Sequence, residues 1–174
     1  FIAGIPMKVF AILGGGIGTA FAFLVLTSSN RMNRFSAFFD PFAEENYKGV
    51  GWQQAHSIMG LASGGPLGTG LGSSKQKWGN LPEAHTDFIF AVIGEELGLL
   101  GTLAVLALFA ILILGIFRVA LRADNSFERY ACAGIGCWFA FQVILNVGTV
   151  ISVIPVVGVT LPFISYGGSS LLAT

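Results

Sequence analysis

The chain has 174 residues, of which 54% are hydrophobic and only 10% are charged, against about 25% charged residues in an ordinary soluble domain. Nine basic and nine acidic residues give a formal net charge of zero, so there is no electrostatic basis for binding nucleic acid. Apolar runs of 18 or more residues predict membrane spans. Several such runs occur here, and we expect an all-α polytopic membrane protein.

The first predicted span covers residues 9–26. Lys8, at its beginning, can extend its amine to the membrane interface. Gly14 and Gly18 have the small-xxx-small spacing that lets a second helix approach closely, so we interpret them as a packing face.

A polar, glycine-rich region follows over residues 27–86 and is too long for a bare loop, so we expect short helices within it. One is predicted over residues 31–42, as an amphipathic segment in the membrane interface that Pro41 ends. Its aromatic residues recur at i, i+3, i+4 and i+7; they are Phe35, Phe38, Phe39 and Phe42. A second short helix is predicted over residues 53–62.

Three further apolar segments complete the predicted spans. They cover residues 87–117, residues 130–154 and, as the beginning of a fourth span, residues 164–174. Because the chain starts without an initiator Met and ends inside an apolar stretch, we expect a fragment that is cut at both ends.

The density of basic residues predicts the orientation of these spans. Residues 118–129 carry three Arg in twelve residues, whereas residues 27–86 carry five Lys or Arg in sixty. Short loops weigh most in the positive-inside rule. We therefore place residues 118–129 in the cytoplasm, and residues 27–86 and 155–170 outside.

Asp87 is the strongest candidate for chemistry in the densest group of ionisable residues. Asn80 and Glu83 fit a capping box, and Thr86 is a rival N-cap, so Asp87 is expected in the first or second turn of a helix. A helix N-terminus favours an ionised carboxylate, whereas partial burial disfavours the charge. A carboxylate between these two effects suits a general base.

The structural alternative is that Asp87 only caps the helix or pairs with Lys77 at the water interface. Two glutamates follow on the same predicted helix. Glu95 and Glu96 would lie about 80° and 180° around the helix axis from Asp87. They cannot both join Asp87 in one site, and at least one must pair elsewhere, for example with an unseen helix.

Two other segments have two interpretations each. Residues 63–74 are dense in glycine, and their backbone amides can bind a phosphate, although the simpler explanation of the glycines is tight turns beside the membrane. Residues 165–170 are rich in serine, which suits either an anion at a helix start or ordinary N-capping.

His56 and His85 lack metal-ligand spacing. Cys132 and Cys137 lie on different faces of one helix and are not expected to bridge.

Three segments match known signature motifs in the right order. Residues 81–98 read LPEAHTDFIFAVIGEELG, residues 161–170 read LPFISYGGSS, and residues 63–72 form a glycine-rich stretch. Together they resemble the SEDS family of bacterial cell-wall polymerases, over essentially the whole chain but only about the last four of that family's ten spans. Ala84 is similar to the FtsW division branch, whereas the RodA elongation branch typically has Arg there. A sporulation-type relative stays open.

The resemblance implies a peptidoglycan glycosyltransferase that polymerises lipid II during cell division and releases undecaprenyl diphosphate. The family's essential acidic residue lies in its His-Thr-Asp-Phe motif, which here is Asp87, with the role of general base. From the resemblance and the motifs above, we take these residues as candidates for substrate binding: Lys77, His85, Gly64, Gly65, Ser165, Tyr166, Gly167 and Gly168. The neutralisation of diphosphate by Lys77 or by glycine amides is our own inference.

Two rival functions stay open: a lipid II flippase, and a non-catalytic scaffold of the division complex. Gln142 and Asn146 are the strongly polar side chains deep in a predicted span, and no charge accompanies them, which argues mildly against a flippase.

The resemblance also implies partners and a location. The partners are a class B penicillin-binding protein transpeptidase and other division proteins, with the Gly14/Gly18 face as a weak candidate contact. The location is the bacterial plasma membrane, as a multi-pass protein at the division septum. No cofactor is certain, and a divalent cation beside the diphosphate is left open.

The predicted orientation can be tested by accessibility to a membrane-impermeant thiol reagent. In a full-length variant without other cysteines, Ser73→Cys should be labelled in intact cells and Ser126→Cys only after permeabilisation. Labelling of position 126 but not position 73 in intact cells would contradict the orientation.

Overall fold

The computed structural model describes residues 7–27, 38–49, 51–78, 81 and 84–166. These residues form α-helices and short turns without any strand, which confirms the all-α prediction for this part of the chain. The elements in chain order are α1 (Met7–Leu26), α2 (Glu44–Tyr47), α3 (Trp52–Gly64), a 3-10 helix (Gln76–Trp78), α4 (Ile89–Arg122) and α5 (Ser126–Val150).

Helices α4 and α5 are the two described helices long and apolar enough to cross a membrane. In the most apolar 18-residue stretch of α4 only 11% is buried, and in that of α5 33% is buried. The core helix of a soluble protein would be mostly buried. The exposed apolar faces of these two helices therefore suit lipid or further spans.

Helix α1 has 20 residues, with an apolar stretch over Lys8–Ala20. A Cβ added to Gly14 or to Gly18 would meet no atom within 4 Å. The predicted packing face is therefore uncovered within the described residues.

Helices α4 and α5 form an antiparallel hairpin with a tight connection at residues 123–125. Asn125 caps α5, because its side-chain oxygen accepts a hydrogen bond from the Phe127 amide at 3.1 Å. The Arg129 guanidinium donates to the Ala123 carbonyl at 3.0 Å, across the same turn. The hairpin brings the end of α5 beside the start of α4, and the candidate site lies there.

The best-packed part of the chain surrounds the start of α4. Buried side chains of the turn before α4, of its first turns, of the end of α5 and of the following segment form one hydrophobic cluster. It includes Leu81, Ala84, Phe88, Phe90, Ala91, Val92, Val150 and Leu161. Helix α3 contains the second short helix predicted over residues 53–62. It is linked to this region because the Ser57 hydroxyl donates to the Val150 carbonyl at 3.0 Å.

Helix α4 is not the continuous span that was expected over residues 87–117. It begins at Ile89 and is interrupted at Gly98, whose φ of 68° and ψ of −163° are not helical. The part after the interruption, residues 99–122, is about 36 Å long at 1.5 Å per residue, enough for a hydrocarbon core of about 30 Å. The part before the interruption belongs to the packed region around the site.

The glycine-rich segment, residues 63–74, supplies hydrogen-bond partners to backbone groups of α4 that lose their helical partners at Gly98. Two amides of this segment donate to α4 carbonyls, and two α4 amides donate to its carbonyls. The bonds are Thr69 N to Glu95 O (2.9 Å), Gly70 N to Glu96 O (3.1 Å), Leu99 N to Gly65 O (2.9 Å) and Leu100 N to Pro66 O (3.2 Å). Irregular backbone near a membrane requires such internal partners, since water is not available to supply them.

The two cysteines and the predicted interfacial segment were also described by the sequence analysis. Cys132 and Cys137 are both free, as predicted. The predicted interfacial segment falls largely outside the described residues. Of its aromatic residues, Phe38 and Phe39 make an edge contact at 5.2 Å, and Phe39 and Phe42 are exposed.

The interruption of α4 predicts opposite effects of alanine at two of its glycines. Gly98→Ala should lower the free energy of unfolding by about 3 kcal/mol or more, because φ is positive and the new Cβ would overlap the Gly68 amide. Gly115→Ala, where a Cβ meets nothing within 4 Å, should be neutral or stabilising by about 0.5–1 kcal/mol. Thermal unfolding of the purified full-length protein measures both. Equal melting temperatures for the two variants would contradict this account of the kink.

Candidate functional site

Asp87 lies in a turn over residues 84–88, immediately before α4, and not in the first or second helical turn as predicted. The N-cap position is Phe88, which makes no side-chain capping bond. Thr86 is therefore not the N-cap, and the proposed capping pair Asn80 and Glu83 falls outside the described residues. The physical reason is tertiary packing: Phe88 is fully buried, and more distant parts of the chain hold the turn.

Three consecutive backbone carbonyls of this turn accept hydrogen bonds from residues far away in the sequence. One donor is a backbone amide and two are side chains, and they come from α5 and from the segment after it. The bonds are Tyr166 N to His85 O (2.9 Å), Ser165 Oγ to Thr86 O (2.6 Å) and Asn146 Nδ2 to Asp87 O (2.7 Å). The two signature motifs therefore bind one another directly, through backbone groups.

Ser165 is a link between two backbone segments. Its side chain is buried, and its hydroxyl donates to Thr86 and accepts from the Leu161 amide at 2.7 Å. Both contacts are with the protein, so this hydroxyl supports the Asp87 turn instead of facing a ligand.

The carboxylate of Asp87 lies beside the backbone of Gly158. A Cβ built on Gly158 would be 3.3 Å from Asp87 Oδ2. Gly158 also has a φ of +72°, a backbone conformation that residues other than glycine rarely adopt. Glycine at this position leaves space for the carboxylate. Asp87 is half-buried, so the protein covers part of the residue and leaves part of it accessible to solvent.

Glu95 is a buried anchor for the segment that carries Lys77, and the sequence did not predict this role. Its Oε2 accepts from the Ser74 hydroxyl at 2.5 Å and from the Gln76 amide at 3.3 Å, and its Oε1 accepts from the Lys75 amide at 2.9 Å. The Ser74 hydroxyl oxygen in turn accepts from the Lys77 amide at 3.2 Å. At least one of the two glutamates was expected to pair away from Asp87, for example with an unseen helix. Glu95 does pair away from Asp87, but its partners lie within this chain.

The other candidate side chains differ in how accessible they are. Lys77 is half-buried, with its ammonium group 5.9 Å from the centre of the Trp78 ring. His85 is exposed, and Tyr166 is 79% exposed. These three side chains border the Asp87 turn or the segment held by Glu95. Gly167 and Gly168 lie outside the described residues.

The glycine-rich segment has a structural role in the described chain. Gly64 packs so closely on α4 that a Cβ would overlap the Gly94 carbonyl oxygen, and the Gly65 carbonyl accepts from Leu99. Several amides that could have bound a phosphate donate to backbone carbonyls instead. They are those of Gly68, Thr69, Gly70 and Ser73. Within the part of the chain that the structure describes, no three His, Cys, Asp or Glu side chains converge as a metal site would require.

Comparison with known proteins matches the whole chain, residues 1–174, to the family FTSW_RODA_SPOVE, described as cell cycle protein. Proteins named probable peptidoglycan glycosyltransferase FtsW are similar to it. That of Tolumonas auensis is 46% identical over 99% of this chain and 45% of its own length. That of Escherichia coli O6:H1 is 47% identical over 99% of this chain and 42% of its own length. The chain therefore spans less than half the length of these curated relatives.

A solved structure is similar in fold as well. It is titled "Structural coordination of polymerization and crosslinking by a peptidoglycan synthase complex". One chain in it matches 98% of this chain and 46% of its own length, with a TM-score of 0.71 and 26% sequence identity. The similarity extends over almost all of this chain.

The anchoring role of Glu95 predicts that an amide cannot replace its carboxylate. Glu95→Gln should lower the free energy of unfolding by about 2 kcal/mol or more, because an NH₂ group would face donors and charge-assisted hydrogen bonds would be lost. Thermal unfolding of the purified full-length protein measures the change. Glu96→Gln is the matched control, since Glu96 Oε1 is buried without a partner among the described residues. Glu96→Gln should not lower the free energy of unfolding, because an uncharged amide is less costly to bury there than a carboxylate, and an equal loss in both variants would refute the role of Glu95.

Proposed function

Because this chain belongs to the FTSW_RODA_SPOVE cell cycle protein family, we propose that it is part of a peptidoglycan glycosyltransferase that joins lipid II into glycan strands. The names of its curated relatives support this activity. Since the chain spans less than half of those relatives, the activity is proposed for the whole protein.

The observation that carries the proposal is the way in which Asp87 is held. Its turn is fixed through three backbone carbonyls, while the residue itself is only half-buried. A catalytic base must be fixed in position and still reach its substrate. A residue that only capped α4 would need neither the anchored turn nor the space beside Gly158.

In the proposed reaction, Asp87 accepts the proton of the acceptor sugar's 4-hydroxyl. The hydroxyl oxygen forms a bond to the anomeric carbon of the donor, and the bond from that carbon to the diphosphate oxygen breaks. The electron pair leaves with undecaprenyl diphosphate, whose developing charge needs a nearby cation or donor. Lys77 is the proposed cation.

The remaining candidates divide between substrate contact and support. Lys77, His85 and Tyr166 have side chains that are at least partly accessible, and we assign them to substrate contact. Ser165, Gly64 and Gly65 are assigned to support, because their contacts in this chain are with backbone groups. The glycines that follow Tyr166 keep their proposed role in substrate binding.

We further propose that the whole protein is a multi-pass protein of the bacterial plasma membrane, working at the division septum. The proposed partner is a class B penicillin-binding protein transpeptidase. The similar solved chain is part of a complex described as coordinating polymerisation and crosslinking, which supports a partner of this type. The Gly14/Gly18 face of α1, which the described residues leave uncovered, is one candidate surface for it.

Replacement of Asp87 by Asn tests the proposed reaction. Asn keeps the size of the side chain but cannot take the proton, so Asp87→Asn should lower the polymerisation rate by about 10²–10⁴-fold. The measurement is glycan formation from lipid II by the purified full-length protein with its transpeptidase partner. Partner binding and the melting temperature should stay close to those of the parent protein.

Glu128→Gln provides the control, because it makes the same change on an exposed carboxylate at the other end of the hairpin. Its rate should match that of the parent. If Asp87→Asn polymerises at nearly the parent rate, the catalytic assignment is wrong, and a flippase or a scaffold becomes the better explanation.

A further inference from the structure

Asn146 connects the Asp87 turn to the segment that follows α5. Its side chain is 1% exposed, and its Nδ2 donates to two backbone carbonyls, those of Asp87 and Val159, at 2.7 Å each. We infer that Asn146 is a positioning residue, which sets where the Asp87 carboxylate lies during polymerisation. This inference rests on the proposed function.

The chemistry of the two contacts specifies an amide. Two carbonyl oxygens that face one nitrogen require two hydrogens on that nitrogen, so the orientation of the Asn146 amide is determined by its partners. A carboxylate would present an oxygen to both carbonyls, and an apolar side chain would leave both without this donor. An NH₂ group at the reach of the asparagine side chain is therefore needed at this point in α5.

Asn146 acts on both sides of the carboxylate. On one side it holds the Asp87 backbone, and on the other it holds Val159, the neighbour of Gly158, against which the carboxylate lies. Loss of the two bonds would let the turn and the segment separate. A displacement of about 1 Å at a catalytic group can cost about 10²-fold in rate.

The sequence alone assigned no role to Asn146. Gln142 and Asn146 looked like a polar pair deep in a span, but Asn146 lies at the level of the Asp87 turn and both of its amide hydrogens are used there. Gln142, one helical turn earlier, has an Oε1 that is buried without a partner among the described residues. The pair therefore offers a matched comparison on one helix.

The test compares two amide-to-acid substitutions in the full-length protein with lipid II as substrate. Asn146→Asp should lower kcat by about 10²-fold at neutral pH and change KM by less than about threefold, since the substrate-contacting side chains are untouched. Gln142→Glu should keep kcat within about threefold of the parent. A purely structural role would instead lower the amount of folded protein without this division between kcat and KM.

The pH dependence gives a second, independent readout. A carboxylic acid at position 146 can donate one hydrogen bond only when it is protonated, so kcat of Asn146→Asp relative to that of the parent should rise as the pH falls. Asp87, His85 and Tyr166 are the titratable side chains on the segments that meet Asn146 among the described residues. They are present in both proteins, so their titration largely cancels in the ratio. Asn146→Leu, which has no donor at any pH, should keep a low and constant ratio.

Several results would overturn the inference. One is a kcat of Asn146→Asp equal to that of the parent at neutral pH, and another is an equal loss of kcat in Gln142→Glu. If Asn146→Asp does not accumulate, Asn146→Gln, which displaces both hydrogens by one methylene, is measured instead, and parent-level kcat there refutes the role. If the parent itself makes no polymer, or Asp87→Asn keeps the parent rate, the proposed function fails and this inference fails with it. Failure of the Asn146 variants alone leaves the proposed function intact.

Discussion

Three neighbouring carbonyls, of His85, Thr86 and Asp87, accept hydrogen bonds from parts of the chain that follow them by about 60 to 80 positions. The rest of the site depends on this constraint. The turn before α4 is not helical, and each of these bonds gives one of its carbonyls a partner within the protein. The end of α5 and the segment after it therefore hold the turn in place.

The interruption of α4 at Gly98 also helps to position the candidate site. It separates a part that is long and apolar enough to cross a membrane from a short part that is packed among α3, the glycine-rich segment and the Asp87 turn. The glycine-rich segment completes the broken hydrogen-bond pattern of α4, and Glu95 then fixes the backbone that leads to Lys77. The proposed base directly precedes this short stretch of helix, and Glu95 of the same stretch holds the segment that carries the proposed cation. A change at Gly98 should disturb both groups.

Much of this architecture could be predicted from local properties of the sequence, and some of it could not. Apolar length predicted the helices that appear as α4 and α5, and the second short helix predicted within the polar, glycine-rich region appears as α3. The interruption of α4, the turn at Asp87 and the role of Glu95 were missed, because each depends on contacts with distant residues. Ser165 and Thr86, for example, are 79 positions apart. The polar character of Asn146 was visible inside an apolar run, but the identity of its partners was not.

The central claim is that Asp87, held by its anchored turn, takes the proton of the acceptor hydroxyl. A structure of the full-length protein with its transpeptidase partner and two bound lipid II analogues would test this most directly. The account predicts an Asp87 carboxylate oxygen within about 2.6–3.2 Å of the acceptor 4-hydroxyl, or one water away, with the Asn146 bonds to Asp87 and Val159 intact. A substrate-filled site in which another group lies next to that hydroxyl, and Asp87 points away from it, would contradict the account.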